Sequence, residues 1–293
     1  MITVIGTVKV SVKVKPGSYG SDAGREESDI RTACLGGGFG IATNLAAMGR
    51  KTALISAVGD DILGRAALEE LKSAGVDTEG VAIAKGATPV EVEILNILGD
   101  AEFTGCSHGL TEAVSPEMIG SCREIIGASD ILVIDGNIPE RSVERAVDIC
   151  GEMGEKMIFF DPGSCEGSNR AEGLLGSFYG IMPSRAEAEA MTGASILSED
   201  ELMEAGRTLT ERGVSRIIIT MKGGGLYYKE GMREGILRPD RVLSFADTSG
   251  AGDVVSAAVV SAAAGGMDIE STAKEAMARA AAFLSALEDE KPI

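Results

Sequence analysis

Apolar and polar positions change period along the chain, and the changes mark out elements. Ile2 to Ile5 is a continuous apolar run closed by Gly6, the pattern of a buried strand. Residues 7–30 alternate weakly and then turn polar, with KPGSYGSDAGREESD as a loop. Past Gly36 the period lengthens. GGGFG leads into IATNLAAMG, which is apolar at helical spacing and stops at Gly49. A strand at 52–59 and a helix over 62–75 follow. Over 88–105, Val90, Val92 and Ile94 alternate with Glu91 and Glu93, and Gly99-Asp100 stands where a turn is needed, which predicts a β-hairpin.

From 115 onward strands and helices take turns. Ser115-Pro116 opens a helix with an N-cap and a Pro at the first helical position. Strands are predicted at 131–134, 157–160, 180–182, 217–220 and 226–229. Helices are predicted at 139–150, 184–191, 198–212, 253–264 and 269–287. Such alternation argues for an α/β fold, a mainly parallel sheet covered on both faces. One domain is expected over 1–293. The β-rich segments at 7–32 and 85–108 do not fit that sheet and are expected to pair as a separate small lid.

Composition narrows the partners. The 293 residues are 44% hydrophobic and 25% charged, as in a globular protein and not a disordered one. The 45 acidic against 27 basic side chains give a net charge of −18, which argues against nucleic acid or an anionic membrane as a partner of the whole surface. A phosphorylated ligand would have to be held by backbone amides, a metal ion or a few local cations. Cys34, Cys106, Cys122, Cys150 and Cys165 show no CxxC spacing, so neither a zinc site nor a disulfide framework is indicated. The single histidine, His108, excludes a mechanism built on a His pair and is expected to be exposed. MITVIGTVKV lacks the basic flank and apolar core of a signal peptide, and the apolar stretch Val254–Gly266 is too short for a membrane span. A soluble, cytoplasmic protein is expected.

The sharpest chemical signal is Asp247-Thr248-Ser249-Gly250-Ala251-Gly252-Asp253, followed by the small-residue stretch VVSAAVVSAAAGG. Gly250 and Gly252 let the backbone approach a ligand closely. The helix that follows aims its free amides and positive dipole end back at the loop, which binds an anion without a basic side chain. Asp253 then stands at the anion site as a carboxylate suited to accept a proton from an attacking hydroxyl. A Gly-rich turn capped by an Asp before an ordinary helix is the alternative for the motif alone.

DTSGAGD followed by such a helix resembles the DTxGAGD signature of the ribokinase or PfkB-like carbohydrate kinase family. Gly36-Gly37-Gly38 followed by ATNLAAMGRKTALISAVGDDILG resembles that family's N-terminal signature, in the right order and at the right spacing. ILVIDGN at 131–137 and FFDPGS at 159–164 read like the corresponding strands of pseudouridine kinases and related nucleoside kinases. The resemblance implies a ribokinase-like three-layer sandwich with a β lid, and transfer of the γ-phosphate of ATP to a primary hydroxyl of a sugar or nucleoside. Asp253 then corresponds to the base, and the amides of Gly250, Ala251 and Gly252 to the anion hole. The family's NxxE stretch, whose Glu organises Mg²⁺ through water, corresponds to Ser184 through Glu187, with Ser in place of Asn. Those two residues also make a capping box. Thr220, Lys222, Gly223 and Gly225 correspond to the strand and turn lining the ATP site, which would extend toward 278–282. Lys222 is either a cation for phosphate or a solvated lysine. The carbonyls of Asp247 and Ser249 correspond to the place where some members hold a monovalent cation such as K⁺.

The substrate half departs from the pattern. The Asp expected five residues after Gly6 is Ser11, and the Asn expected in the loop-to-helix turn is Gly40. Asn44 lies one helical turn on and either reaches substrate or stays on its helix. The acceptor is expected near Ser11, Gly36, Gly37, Gly38, Gly40 and Asp253. Asp135 and Asn137 touch ligand or, more simply, cap the helix after Pro139. Phe39 lies against substrate or packs under the lid. A homodimer through the lid is expected, with the alternating hairpin at 90–97 offering an edge. A nucleoside kinase, pseudouridine kinase in particular, is the narrower alternative. A vitamin-type kinase such as pyridoxal kinase fits less well, and a non-catalytic sugar- or nucleotide-binding regulator is the rival of another class.

Overall fold

The computed structural model describes residues 1–17, 28–96, 101–107, 109–154, 156–221, 223, 225–239 and 249–289. The strands in chain order are β1 Ile2–Ile5, β2 Lys9–Pro16, β3 Ser28–Leu35, β4 Thr52–Gly59, β5 Val81–Ala84, β6 Val90–Leu95, β7 Ala101–Cys106, β8 Ile131–Asp135, β9 Met157–Asp161, β10 Gly180–Ile181, β11 Arg216–Thr220, β12 Leu226–Glu230 and β13 Arg233–Leu237. The helices are α1 Gly37–Ala47, α2 Ile62–Ser73, α3 Pro116–Ser121, α4 Arg123–Gly127, α5 Glu140–Met153, α6 Cys165–Asn169, α7 Arg185–Thr192, α8 Glu199–Glu211, α9 Ala251–Ala264 and α10 Ile269–Asp289.

Among the described residues nine strands form one sheet in the order β13-β12-β11-β10-β9-β8-β1-β4-β5. Pairing is parallel from β11 to β5 and antiparallel through β12 and β13. Successive strand residues serve opposite layers. Leu132, Ile134, Ile158 and Phe160 pack with Val143 and Ile149 of α5 and Leu202 and Leu209 of α8. Ile131, Val133 and Phe159 pack with Ile41 and Leu45 of α1, Leu71 of α2 and Val255 and Val259 of α9. The continuous apolar runs of the sequence are therefore strands buried on both faces. Two edge strands were not expected. The residues of β5 are only partly covered and Ile83 is exposed, so the segment carries no buried-strand pattern. The β13 segment REGIL lacks alternation and is held as a strand by its pairing with β12.

The lid is a four-stranded sheet in the order β3-β2-β6-β7. Two antiparallel pairs, β2/β3 and β6/β7, join through a parallel β2/β6 contact. Its first segment runs to Leu35, past the expected 32. Of the hairpin, β6 is flanked by β2 and β7, and the edge it offers is β7. Opposed residues share a face, so Val14, Ile30, Ile94 and Phe103 form one row across the lid. Ser11 and Lys13 share the other face with Glu91 and Glu93. No helix of the described residues is long and apolar enough to cross a membrane.

Candidate active site

The parallel strands end on one side, the side where open α/β sheets bind ligands. Helix α9 starts there. Gly250 is its N-cap in the left-handed conformation, at φ 82°, with no side-chain cap. Among the described residues no side chain caps the first turn's amides. A Cβ on Gly252 would meet no atom of the described residues within 4 Å. A Cβ on Gly250 would come within 3.3 Å of the Phe283 ring, which places α10 beside the loop.

Asp253 lies in the first turn of α9. Its Oδ2 is 2.0 Å from where a Cβ on Gly40 would stand, so the glycine makes room for the carboxylate. Asp253 keeps some solvent-accessible surface, yet protein atoms crowd around it. Burial raises its pKa well above the ordinary carboxylate value, the charges of Asp161 and Asp135 add to the rise, and Lys9 opposes it. Asp161 closes β9 and pairs in register with Asp135, which closes β8. One oxygen of Asp161 accepts from the Ser256 hydroxyl, one helical turn after Asp253, and the other accepts from Gly163 N at 3.0 Å. Burial pushes Asp161 up to about 7, the Ser256 hydroxyl works against the shift, and the charges of Glu187 and Asp135 reinforce it.

Asp135 does not cap the helix after Pro139. The N-cap of α5 is Pro139 itself, without a side-chain bond. The fully buried Asp135 instead accepts from Thr7 N at 3.0 Å, Thr7 Oγ1 at 2.6 Å, Asn137 N at 2.9 Å and Asn137 Nδ2 at 3.0 Å. The carboxylate thus ties the exit of β1 to the exit of β8. The glycine turn packs on this knot. A Cβ on Gly37 would stand 2.7 Å from Asp135 Cγ, and one on Gly38 would stand 2.5 Å from Gly6 C. Gly36 caps α1 at φ 109°. These close approaches require glycine before any ligand is considered.

On the nucleotide side, Ser184 and Glu187 form the capping box. Glu187 Oε2 accepts from Ser184 N at 2.6 Å, and Ser184 Oγ accepts from Glu187 N at 3.4 Å. Thr220 bridges to Ser184 and donates its amide to Pro183 O at 2.9 Å, which brings the two stretches together. Gly223 takes φ 83° in the turn, and a Cβ on Gly225 would meet Met221 Cε at 2.8 Å. Lys222, Asp247 and His108 lie outside the described residues.

On the lid side, Ser11 is buried and its hydroxyl has no hydrogen-bond partner among the described residues. Asn44 folds back on its helix and donates to Gly40 O at 2.8 Å. Phe39 is buried in the layer that holds α1 and α9. Sequence reasoning missed the lid's ion pairs, Lys9 with Glu91 at 2.7 Å and Lys13 with Glu93 at 3.1 Å. Their alternation with apolar residues in VKVSVKV and VEVEI was the available signal. It also missed Asp161, whose signal was an acidic residue ending an apolar strand.

Among the described residues no group of three or more His, Cys, Asp or Glu side chains is arranged to hold a metal alone. Mg²⁺ needs only one or two carboxylates plus substrate phosphates. Glu187 and Asp161 act on each other electrostatically near the nucleotide stretch, and their hard oxygen donors fit that demand.

The profile of the pfkB family carbohydrate kinase matches residues 1–291. The chain belongs to that family. This kinase is 25% identical over 267 residues to the pseudouridine kinase of Escherichia coli strain K12, covering 91% of this chain and 84% of that one. It is 25% identical over 291 residues to the guanosine-inosine kinase of Exiguobacterium acetylicum, covering 98% and 95%. Its structure superposes on a carbohydrate kinase from Agrobacterium tumefaciens with a TM-score of 0.82 at 25% identity, covering 96% and 89%. The kinase is therefore a phosphotransferase with a ribokinase-like fold, and ATP is the donor its family implies.

Proposed function

We propose that this kinase transfers the γ-phosphoryl group of ATP to a primary hydroxyl of a sugar or nucleoside, with Asp253 as base. The observation that carries this reading is the juxtaposition at α9. An uncapped, glycine-led helix start stands beside a carboxylate whose proton affinity is raised, at the ends of the parallel strands. A base works best when its pKa approaches the working pH, and burial moves Asp253 in that direction. The acceptor hydroxyl loses its proton to Asp253 as its oxygen bonds the γ-phosphorus, and the bond from that phosphorus to ADP breaks. The amides of Gly250, Ala251 and Gly252 face the charge that collects on the moving group, the role in which preorganised donors contribute most. ATP lies across Ser184, Glu187, Thr220, Gly223 and Gly225, toward α10. Glu187 would hold Mg²⁺ through water, and the bound ion would supply neutralisation of phosphate charge.

The acceptor lies between the lid and the glycine turn. The partnerless Ser11 hydroxyl supports this placement, since a buried polar group is costly until something bonds it. A nucleoside is the narrower reading. It is favoured by the pseudouridine kinase and the guanosine-inosine kinase among the relatives. The test is ATP turnover with Mg²⁺ against a panel of sugars and nucleosides, pseudouridine included. Turnover with one acceptor names the substrate class. ATP binding without turnover on any acceptor moves the weight to a regulator that kept the fold.

A further inference from the structure

Strand β2 turns Lys9, Ser11 and Lys13 to one side of the lid and Val10, Val12 and Val14 to the other. The first row faces the start of α9. Lys13 Nζ donates to Ser249 Oγ at 3.0 Å and pairs with Glu93 Oε2 at 3.1 Å. Ser249 immediately precedes Gly250, so a lid ammonium stands at the mouth of the anion site, from 236 positions away in sequence. Its side chain is only 19% exposed. The field around the site is otherwise unfavourable to an anion. Asp161 and Asp135 act on Asp253 as negative charges, with Lys9 opposing them. A helix start contributes only a fraction of a charge. A phosphoryl group in transit carries more negative charge than that offsets.

We propose that Lys13 is a catalytic residue of the phosphoryl transfer, donating a hydrogen bond to the γ-phosphoryl oxygens while Glu93 holds its ammonium in place. The proposal rests on the kinase reading above. Lys13 keeps its proton throughout. The acceptor proton goes to Asp253, the oxygen–phosphorus bond forms, and the bridging bond to ADP breaks. A lysine oriented by a glutamate is a known way to fix a cation beside phosphates. Because the lid carries Lys13, the anion site is complete only when the lid lies over α9, and transfer to water with the lid open is disfavoured.

The test compares wild type with Lys13→Met, Lys13→Gln and Lys13→Arg, using the acceptor found in the panel. Lys13→Met is expected to lower kcat roughly 10²-fold, the usual loss for one donor to a developing anion. ATP binding by equilibrium dialysis and thermal unfolding should change little. Lys13→Arg should recover most of the rate, and Lys13→Gln repeats the loss with a polar side chain should Met disturb the lid. Wild-type kcat in both neutral variants overturns the proposal. So does a raised acceptor KM at unchanged kcat, which makes Lys13 a latch instead. A wild type that turns over no acceptor overturns the kinase reading first, an outcome distinct from an active enzyme indifferent to Lys13.

Discussion

Gly40 and Asp253 make the tightest junction in the site. A Cβ at position 40 would stand 2.0 Å from Asp253 Oδ2, which can swing away, but also 2.8 Å from Asp253 Cβ, which moves only with its helix. Gly40→Ala should therefore displace the base and lower the stability as well. A misplacement of about 1 Å costs on the order of 10²-fold in rate. Steady-state kinetics beside a melting curve would check this, and an unchanged kcat would mean that the carboxylate does not work from that position. Asp161 makes a second residue-level case, in stability. Its folded-state pKa is raised from 3.8 to about 7, so the native protein holds a proton that the unfolded chain releases. The resulting stabilisation is present below 3.8 and declines as pH rises toward 7, leaving a buried charge above that. Asp161→Asn removes this charge. Relative to wild type, its Tm should rise from about pH 4 to about pH 7 and level off above that. A constant difference across that window would contradict the shift.

At the scale of elements, legibility in the sequence followed burial. The runs ILVI and MIFF read as strands because both faces of β8 and β9 are covered. The weakly covered β5 and β13 left no such trace. Helix α9 was legible as an element, and the proposed site on it has a local signal, with glycines, carboxylate and small-residue face consecutive in sequence. The carboxylate group was not legible as a unit. Asp135, Asp161 and Asp253 come together only through the β8/β9 register and the placement of α9 over the sheet. Periodicity gave each residue an element but no partner. Asp135 was accordingly read as a cap, although its oxygens bind Thr7, far upstream in sequence. The charged face of the lid was missed for the same reason, since Lys13 meets Ser249 only in three dimensions.

At the scale of the molecule, the proposed reading has a strongly acidic protein bind anionic ligands through local donors concentrated at one end of the sheet. The lid's outer row is the other large-scale feature. Ile30 is 61% exposed and Phe103 57%, with Ile94 between them in register. Such a row on a sheet face is more apolar than a solvent face requires. We propose that it is covered by the lid of a second copy in a homodimer. Scattering or sizing should give twice the chain mass for wild type and a monomer for Phe103→Glu. A monomeric wild type would remove the idea without touching the chemistry.

That chemistry turns on one carboxylate, and the most direct measurement is the rate of Asp253→Asn beside wild type with the best acceptor. Asn keeps the shape and removes the proton acceptor. A loss of roughly 10²–10⁴-fold in kcat, with ATP still bound, is the expected result for a lost general base. A variant that turns over at the wild-type rate would contradict Asp253 as the base.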